Sequence, residues 1–221
     1  METYIIVAII IVFIIILAAL LDKSCKSYYM TSNIYPELIE LEENDRFNAI
    51  VQEMKNVSPS TWTEWPEEQL WKDTNENKWT VFPLYGFGKW SKNTSRCPIT
   101  TSFLKDLGPN LQTAGFSLLE PGVELTKHRG WADLSNNVLR SHLLLTEHPE
   151  NTCQLWVNGR THSHQYQKWI TFDDSLMHSA KNKDKNDRVV LLIDMVRPDH
   201  ISRGTSTVPH SPELDSFVDA M

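Results

Sequence analysis

Two neighbouring blocks decide how this chain folds: FDDSLMHSA at Phe172–Ala180 and DRVVLLIDMVRP at Asp187–Pro198. The second is an apolar run of strand length opened by a single arginine, Arg188. The first places His178 beside a shorter run of the same kind. Working back along the chain, LRSHLLL covers Leu139–Leu145, KHRG covers Lys127–Gly130 and GFSLLEPG covers Gly115–Gly122. Strand-like runs therefore recur at 114–119, 138–146, 153–157, 160–166, 168–172 and 187–196, and Trp79–Tyr85 begins the series. Asn158-Gly159 between two runs is a hairpin signal, because both turn positions require positive φ. Six or more short strands without helical spacers predict a mainly β fold, an antiparallel barrel or jelly roll.

Side chains alternate faces along a strand, so parity assigns partners. Ser117 and Leu119 share a face, Arg140 and His142 share another, and Arg188, Val190, Leu192 and Asp194 a third. If these faces line the interior, cationic and polar groups collect at one end. A buried guanidinium is costly without an anion. Asp194 is read as too far along its strand to serve, so an incoming dicarboxylate would supply the charge, held bidentately. His128 and His178, fifty residues apart, supply neutral imidazoles for a metal, and ligand type alone suits iron, zinc, copper or nickel. The carboxylate commonly found two residues after the first histidine is absent, since that position is Gly130. Asp133 is the nearest acidic substitute. His162 and His164 share a strand face and read as an exposed polar face. No GxSxG, GxGxxG or P-loop motif is present.

The chain has 221 residues and a formal net charge of −7. That balance offers no basic surface for phosphates and argues against nucleic acid. Cys25, Cys97 and Cys153 form no CxxC, and one Cys97–Cys153 bridge is open. Residues 1–3 are a stub. Residues 4–21 are uncharged and would span ~27 Å as a helix at ~1.5 Å per residue, enough for a transmembrane anchor. Lys23 and Lys26 follow this segment and no basic residue precedes it, which places the C-terminal domain on the cytosolic face. The sequons at Asn56 and Asn93 would matter only in a lumen. Residues 22–34 are read as a linker, Ile34–Asn56 as an amphipathic helix and Pro98–Leu107 as a short helix. Trp62, Trp65 and Trp71 are read as cover for a small core ahead of a substrate-gripping rim. The lysines around Lys181–Lys185, and residues 199–221, are read as a solvated loop and a mobile tail.

In order and spacing, YPELIELEEN, WTVFPLYGFG, CPITTSFLKDL, GFSLLEPGVEL, KHRG, NNVLRSHLLL, FDDSLMHSA and DRVVLLIDMVRP resemble the aspartyl/asparaginyl β-hydroxylase family across residues 35–198. The resemblance implies a double-stranded β-helix (jelly-roll, cupin-like) with flanking N-terminal helices. It also implies an iron(II) (Fe2+) dioxygenase that uses 2-oxoglutarate and O2, releases succinate and CO2, and hydroxylates a C–H bond. Carried over position by position, His128 and His178 correspond to the metal ligands and Arg188 to the clamp on the distal carboxylate. Ser117, Leu119, Arg140, His142, Val190 and Trp79 correspond to the co-substrate pocket. The family's best-studied members lack the triad carboxylate too, so the Gly130 gap fits the pattern. This chain departs from it at Trp131–Ser135, where two residues are extra, and at His164 and Gln167-Lys168, where the family often has Trp and Gly; both segments are expected at the substrate entrance. The implied substrate is an Asp or Asn side chain in a protein or peptide. A lipid acyl chain and a non-catalytic dicarboxylate-binding barrel are the alternatives.

Overall fold

The structure is a computed structural model that describes residues 27–72 and 76–219. Its strands are β1 (Tyr28–Tyr29), β2 (Thr63–Glu64), β3 (Trp79–Gly86), β4 (Lys89–Trp90), β5 (Leu111–Leu119), β6 (Val138–Leu144), β7 (Cys153–Val157), β8 (Arg160–Ser163), β9 (Trp169–Phe172), β10 (His178–Asn182) and β11 (Arg188–Val196). The major sheet runs β1-β9-β6-β11-β5-β3-β2, with β4 on β3, and the minor sheet runs β10-β7-β8. Every named strand pair is antiparallel. The fold is mainly β, a two-sheet jelly roll of the expected class.

Alternation along the strands of the major sheet builds two cores. Four helices flank its outer face: short α1 (Thr31–Ile34) and α2 (Glu40–Glu43), then α3 (Arg46–Asn56) and α4 (Pro98–Asp106). On that face Phe82, Phe116, Leu139, Leu143, Leu191 and Ile193 pack under α3 and α4. On the inner face Trp79, Val81, Leu119 and Phe172 meet Leu155, Val157 and Ala180 of the minor sheet. Burying one such side chain stabilises by roughly 1.5–3 kcal/mol, so both faces of the sheet hold the sandwich closed. The segment 123–128 continues the minor sheet beside β10: Leu125 N donates to Ala180 O, and His128 and His178 exchange backbone hydrogen bonds at 2.9 and 2.8 Å. A one-turn helix, α5 (Ala132–Ser135), then leads into β6.

The Asn158-Gly159 turn forms as the dipeptide predicts, with φ of 45° and 89° joining Val157 to Arg160. Several expectations are corrected. The helix expected over Ile34–Asn56 is broken: Asn44 is extended and its side chain accepts from Arg46 N at 2.9 Å, starting α3 afresh. Part of the expected linker belongs to the fold, because Tyr28 and Tyr29 pair with Phe172 and Thr171. Lys181 lies in β10 rather than in a loop. The expected mobile tail packs on the body: Val208 bridges Trp131, and α6 (Pro212–Asp219) buries Leu214. Cys97 and Cys153 are both free and buried, so no bridge joins them. The expected anchor at 4–21 lies outside the described residues; among the described residues no helix is long and apolar enough to cross a membrane.

Candidate active site

Register places the residues singled out by parity on one face. Trp79, Leu119 and Arg188 stand side by side across β3, β5 and β11. Val81, Ser117, Val190 and Leu144 form the next row. Leu192, His142 and Ile170 follow, and then Asp194, Arg140 and Phe172. Trp79 Nε1 donates to Ser117 Oγ at 3.0 Å. Two clusters form between this face and the minor sheet, with Phe172 in edge contact with both His142 and His178.

The first cluster is the histidine pair. Their ring centroids are 4.3 Å apart. His128 Nδ1 lies 2.7 Å from Thr126 O and His178 Nδ1 lies 2.9 Å from Leu176 O. A carbonyl only accepts, so each Nδ1 carries the proton and each Nε2 keeps its lone pair. Burial favours the neutral rings, lowering His128 from 6.5 to about 3 and His178 to about 4. Asp174 Oδ1 lies 3.3 Å from His178 Nε2 and accepts from Arg140 Nη1 at 2.6 Å. Burial, against the pull of Arg140, raises the Asp174 carboxyl from 3.8 to about 6. Two lone pairs facing each other at that distance need a proton or a metal cation between them. Backbone-fixed neutral imidazoles are the ligand form a divalent metal takes, so the donors fit a metal centre. Two histidines set the limit, for no group of three or more His, Cys, Asp or Glu suited to a metal is found among the described residues.

Gly130 explains why the carboxylate comes from elsewhere. A Cβ there would stand 1.9 Å from Asp174 Oδ2. Asp174 already fills the space from which residue 130 would project. Asp133, the substitute expected from sequence, instead pairs with His210 Nε2 at 3.0 Å and is mostly exposed. The sequence signal for Asp174 is its spacing, four residues before His178, across a turn that brings the carboxylate back to the ring. Its neighbour Asp173 binds Arg197 instead, through both oxygens, at 2.8 and 2.7 Å.

The second cluster surrounds Arg188, which is 1% exposed. Its Nη2 lies 3.0 Å from His164 Nε2 and 3.4 Å from His142 Nδ1. A guanidinium only donates, so those ring nitrogens accept and the protons sit on His142 Nε2 and His164 Nδ1. Neither of these, nor Arg188 Nε, has a partner among the described residues. Three buried donors are therefore left without an acceptor, and among the described residues no carboxylate pairs with Arg188. Burial lowers its pKa from 12.5 to about 10. Such a site fits an anion, and a carboxylate is one that a guanidinium binds through paired, charge-assisted hydrogen bonds.

Arg140 differs from the sequence expectation. Asp194 stands directly across from it, and Nε and Nη2 donate to that carboxylate at 2.8 and 2.9 Å. With Asp174 as a second partner, Arg140 is compensated before any ligand arrives. His164, expected on an exposed face at the entrance, is 5% exposed and sits against Arg188. Strand β8 ends one residue earlier, at Ser163, so the parity that pairs His164 with exposed His162 does not hold there.

A cleft of about 120 Å³ opens beside the histidines, touching His128, Asp174, Arg140, Ser117 and Trp79. Its outer wall is apolar: Trp65, Leu70, Trp131 and Leu134, closed by Leu214, Phe217 and Val218 of α6. Trp65 stacks on Trp79 and on Trp131, with centroids 4.7 and 5.7 Å apart. Glu67 accepts from the indole N–H groups of Trp65 and Trp131. Of the three tryptophans expected as core cover, Trp71 is buried, Trp62 packs on Phe82, and Trp65 lines the cleft.

Comparison with known proteins places these residues in context. The pattern of the family described as Aspartyl/Asparaginyl beta-hydroxylase matches residues 44–198. The chain is 38% identical over 127 residues to the ornithine lipid ester-linked acyl 2-hydroxylase of Rhizobium tropici, covering 57% of this chain and 44% of that one. It is 28% identical over 181 residues to aspartate beta-hydroxylase domain-containing protein 2 of Mus musculus, covering 77% and 51%. The chain thus spans about half the length of these curated relatives. Among solved structures, a Pseudomonas putida prolyl-4-hydroxylase aligns over 76% of this chain and all of its own, with a TM-score of 0.47 and 13% identity.

Proposed function

The chain belongs to the aspartyl/asparaginyl β-hydroxylase family, and on that premise we propose that it is an iron(II)- and 2-oxoglutarate-dependent dioxygenase that hydroxylates an unactivated C–H bond. The observation that carries this reading is the Arg188 cluster: a fully buried guanidinium that no carboxylate among the described residues pairs with, and three unpartnered donors, Arg188 Nε, His142 Nε2 and His164 Nδ1. The distal carboxylate of 2-oxoglutarate supplies the missing acceptor. His128 and His178 would hold iron(II) through Nε2. When bound, iron(II) with 2-oxoglutarate supplies O2 activation: one oxygen atom enters the substrate as hydroxyl, and the other enters succinate as CO2 leaves.

The protein's own share is placement and exclusion of water. Thr126 O and Leu176 O lock the two ring tautomers. Arg140 fixes the Asp174 carboxylate beside His178, where it can bind a proton or a water. Ser117 and Trp79, hydrogen-bonded to each other, line the cleft beside His128. The aromatic wall and α6 cover the approach.

Two substrate classes are open, an Asp or Asn side chain in a peptide and an aliphatic acyl chain such as the name of the Rhizobium tropici relative denotes. The cleft favours the acyl chain. Its outer wall is apolar, Arg140 is occupied by Asp174 and Asp194, and Arg129 Nη1 donates to Ser175 O. A backbone carbonyl leaves the charge of Arg129 in place, so the preference rests on the apolar wall and on the neutralised Arg140, which together suit an alkyl chain better than a second carboxylate. A membrane anchor at residues 4–21 would bring the domain to such a substrate.

Anaerobic titration of the protein with iron(II) and then 2-oxoglutarate tests the reading. A metal-to-ligand charge-transfer band, followed by succinate on admission of O2, is the expected result. Absence of both refutes it. Mass spectrometry for a product carrying one added oxygen, in lipid and peptide fractions exposed to active and His178→Ala protein, then separates the substrate classes.

A further inference from the structure

Resting on that reading, we propose that His164 is a positioning residue of the co-substrate clamp: it holds Arg188 in the orientation that receives the distal carboxylate. Arg188 and His142 both project from the major sheet, on β11 and β6. His164 reaches the same guanidinium from the other sheet, anchored by its backbone N–H to Cys153 O at 2.8 Å. It is thus a strut across the sandwich. Its contact with Nη2, at 3.0 Å, is shorter than that of His142 at 3.4 Å.

The donor count shows what the strut does. Nη2 carries two hydrogens, and two imidazole nitrogens stand ready to accept them. With Nη2 so occupied, the guanidinium cannot rotate freely, and Nε–H is left as a donor for the ligand. The same contact fixes the His164 tautomer and leaves Nδ1–H as a further buried donor. Neither imidazole carries the negative charge that would satisfy Arg188 internally, so the arginine is oriented without being neutralised. A carboxylate at residue 164 would neutralise it and compete with the ligand. A residue without an acceptor would leave Nη2 with one buried donor unmet, at the cost of orientation. This differs from the entrance role that the sequence pattern suggested for the segment.

The test uses the full chain loaded with iron(II) under argon, with ligand binding followed by calorimetry and by the charge-transfer band. The two ligands are 2-oxoglutarate and 2-oxobutyrate, which lacks the distal carboxylate. His164→Leu is expected to weaken 2-oxoglutarate about 10- to 100-fold, the loss of one hydrogen bond to a charged group, and to leave 2-oxobutyrate unchanged. His164→Gln, whose amide oxygen accepts from Nη2, restores most of the affinity. His164→Glu, which folds with an internal ion pair, loses 2-oxoglutarate binding while the thermal midpoint of the ligand-free protein rises.

Wild-type affinity for 2-oxoglutarate in His164→Leu overturns the assignment, as does an equal loss of both ligands. Should His164→Leu fail to fold, the Gln and Glu variants decide. Equal 2-oxoglutarate binding by those two overturns the role of His164. A wild-type protein that binds neither ligand overturns the co-substrate reading as well, which separates the two failures.

Discussion

Replacing Gly130 by alanine adds one carbon at the most crowded point of the site. That Cβ would lie 1.9 Å from Asp174 Oδ2 and 2.8 Å from both Asp174 Cγ and Ser135 Cβ. Ordinary contact begins at 3.4 Å, so the carboxylate must retreat by about 1.5 Å. It cannot retreat cheaply. Its side chain is 1% exposed and held by Arg140 Nη1 at 2.6 Å. Losing a hydrogen bond to a charged group costs ~1.5–3 kcal/mol, and breaking a buried pair outright costs ~3–5 kcal/mol. Asp194 still satisfies Arg140 through two bonds, so the lower range applies, about 1.5–3 kcal/mol. For a domain of this size that is a fall in Tm of roughly 3–12 °C. The assay is urea unfolding of four proteins: wild type, Gly130→Ala, Asp174→Ala and the double variant. Removing the Asp174 carboxylate frees the space, so Gly130→Ala costs less in that background; the Ser135 contact keeps the rescue partial. The expected coupling is at least about 1 kcal/mol, within the range neighbouring residues show. Additivity within about 0.5 kcal/mol, or a Gly130→Ala protein as stable as wild type, would refute the claim that Asp174 fills the place of the missing carboxylate.

Other outcomes follow from the same geometry. Arg188→Met is expected to weaken 2-oxoglutarate binding by at least about 30-fold, as for truncation of a buried charged pair, while metal uptake persists; unchanged affinity by calorimetry would contradict the clamp. In His178→Ala, metal uptake and turnover should both be lost, as read by metal analysis after desalting and by succinate release. Metal-free stability should fall as pH drops below 6.5. The pKa values of His128, His142, His164 and His178 are all lowered by burial, so the unfolded chain takes up protons that the folded chain refuses, and stability present above 6.5 is lost towards about 3–4 for the metal pair. Asp174, raised to about 6, opposes this with stability that is present below 3.8 and lost as pH rises through 6. A urea midpoint at pH 5 equal to or above that at pH 7 would contradict the balance of four histidines against one carboxyl. Truncation after Pro209 removes Leu214, Phe217 and Val218 from the cleft wall and should red-shift tryptophan emission as Trp65 and Trp131 meet water; an unchanged spectrum would mean that α6 does not cover them.

Much of the fold is legible in the sequence because its signals are local. The short apolar runs at 114–119 and 188–196, and the Asn158-Gly159 turn, are read from strand length and backbone sterics alone. Strand β10 is harder, since HSAKN is polar and small and its burial comes from Val157 and Leu155 across the ladder. Parity alone is enough to put Arg188 and His142 on inward faces of their strands. It fails for Arg140, because the pairing that sets Asp194 opposite Arg140 is a matter of register between residues 54 positions apart, and sequence periodicity carries no register. The burial of His164 depends on a chain that leaves its strand after Ser163 and turns in towards Arg188. Docking of the C-terminal segment is hidden for a similar reason: Ser, Pro and Asp dominate its composition, and its ties to the body are the Val208 bridge to Trp131 and the apolar Leu214, Phe217 and Val218.

The Arg188 cluster bears the central claim, and calorimetry of 2-oxoglutarate binding to the iron(II)-loaded protein under argon tests it most directly. The account predicts saturable one-to-one binding in the wild type, lost in Arg188→Met. Failure of the wild type to bind, or equal binding by both proteins, would contradict it.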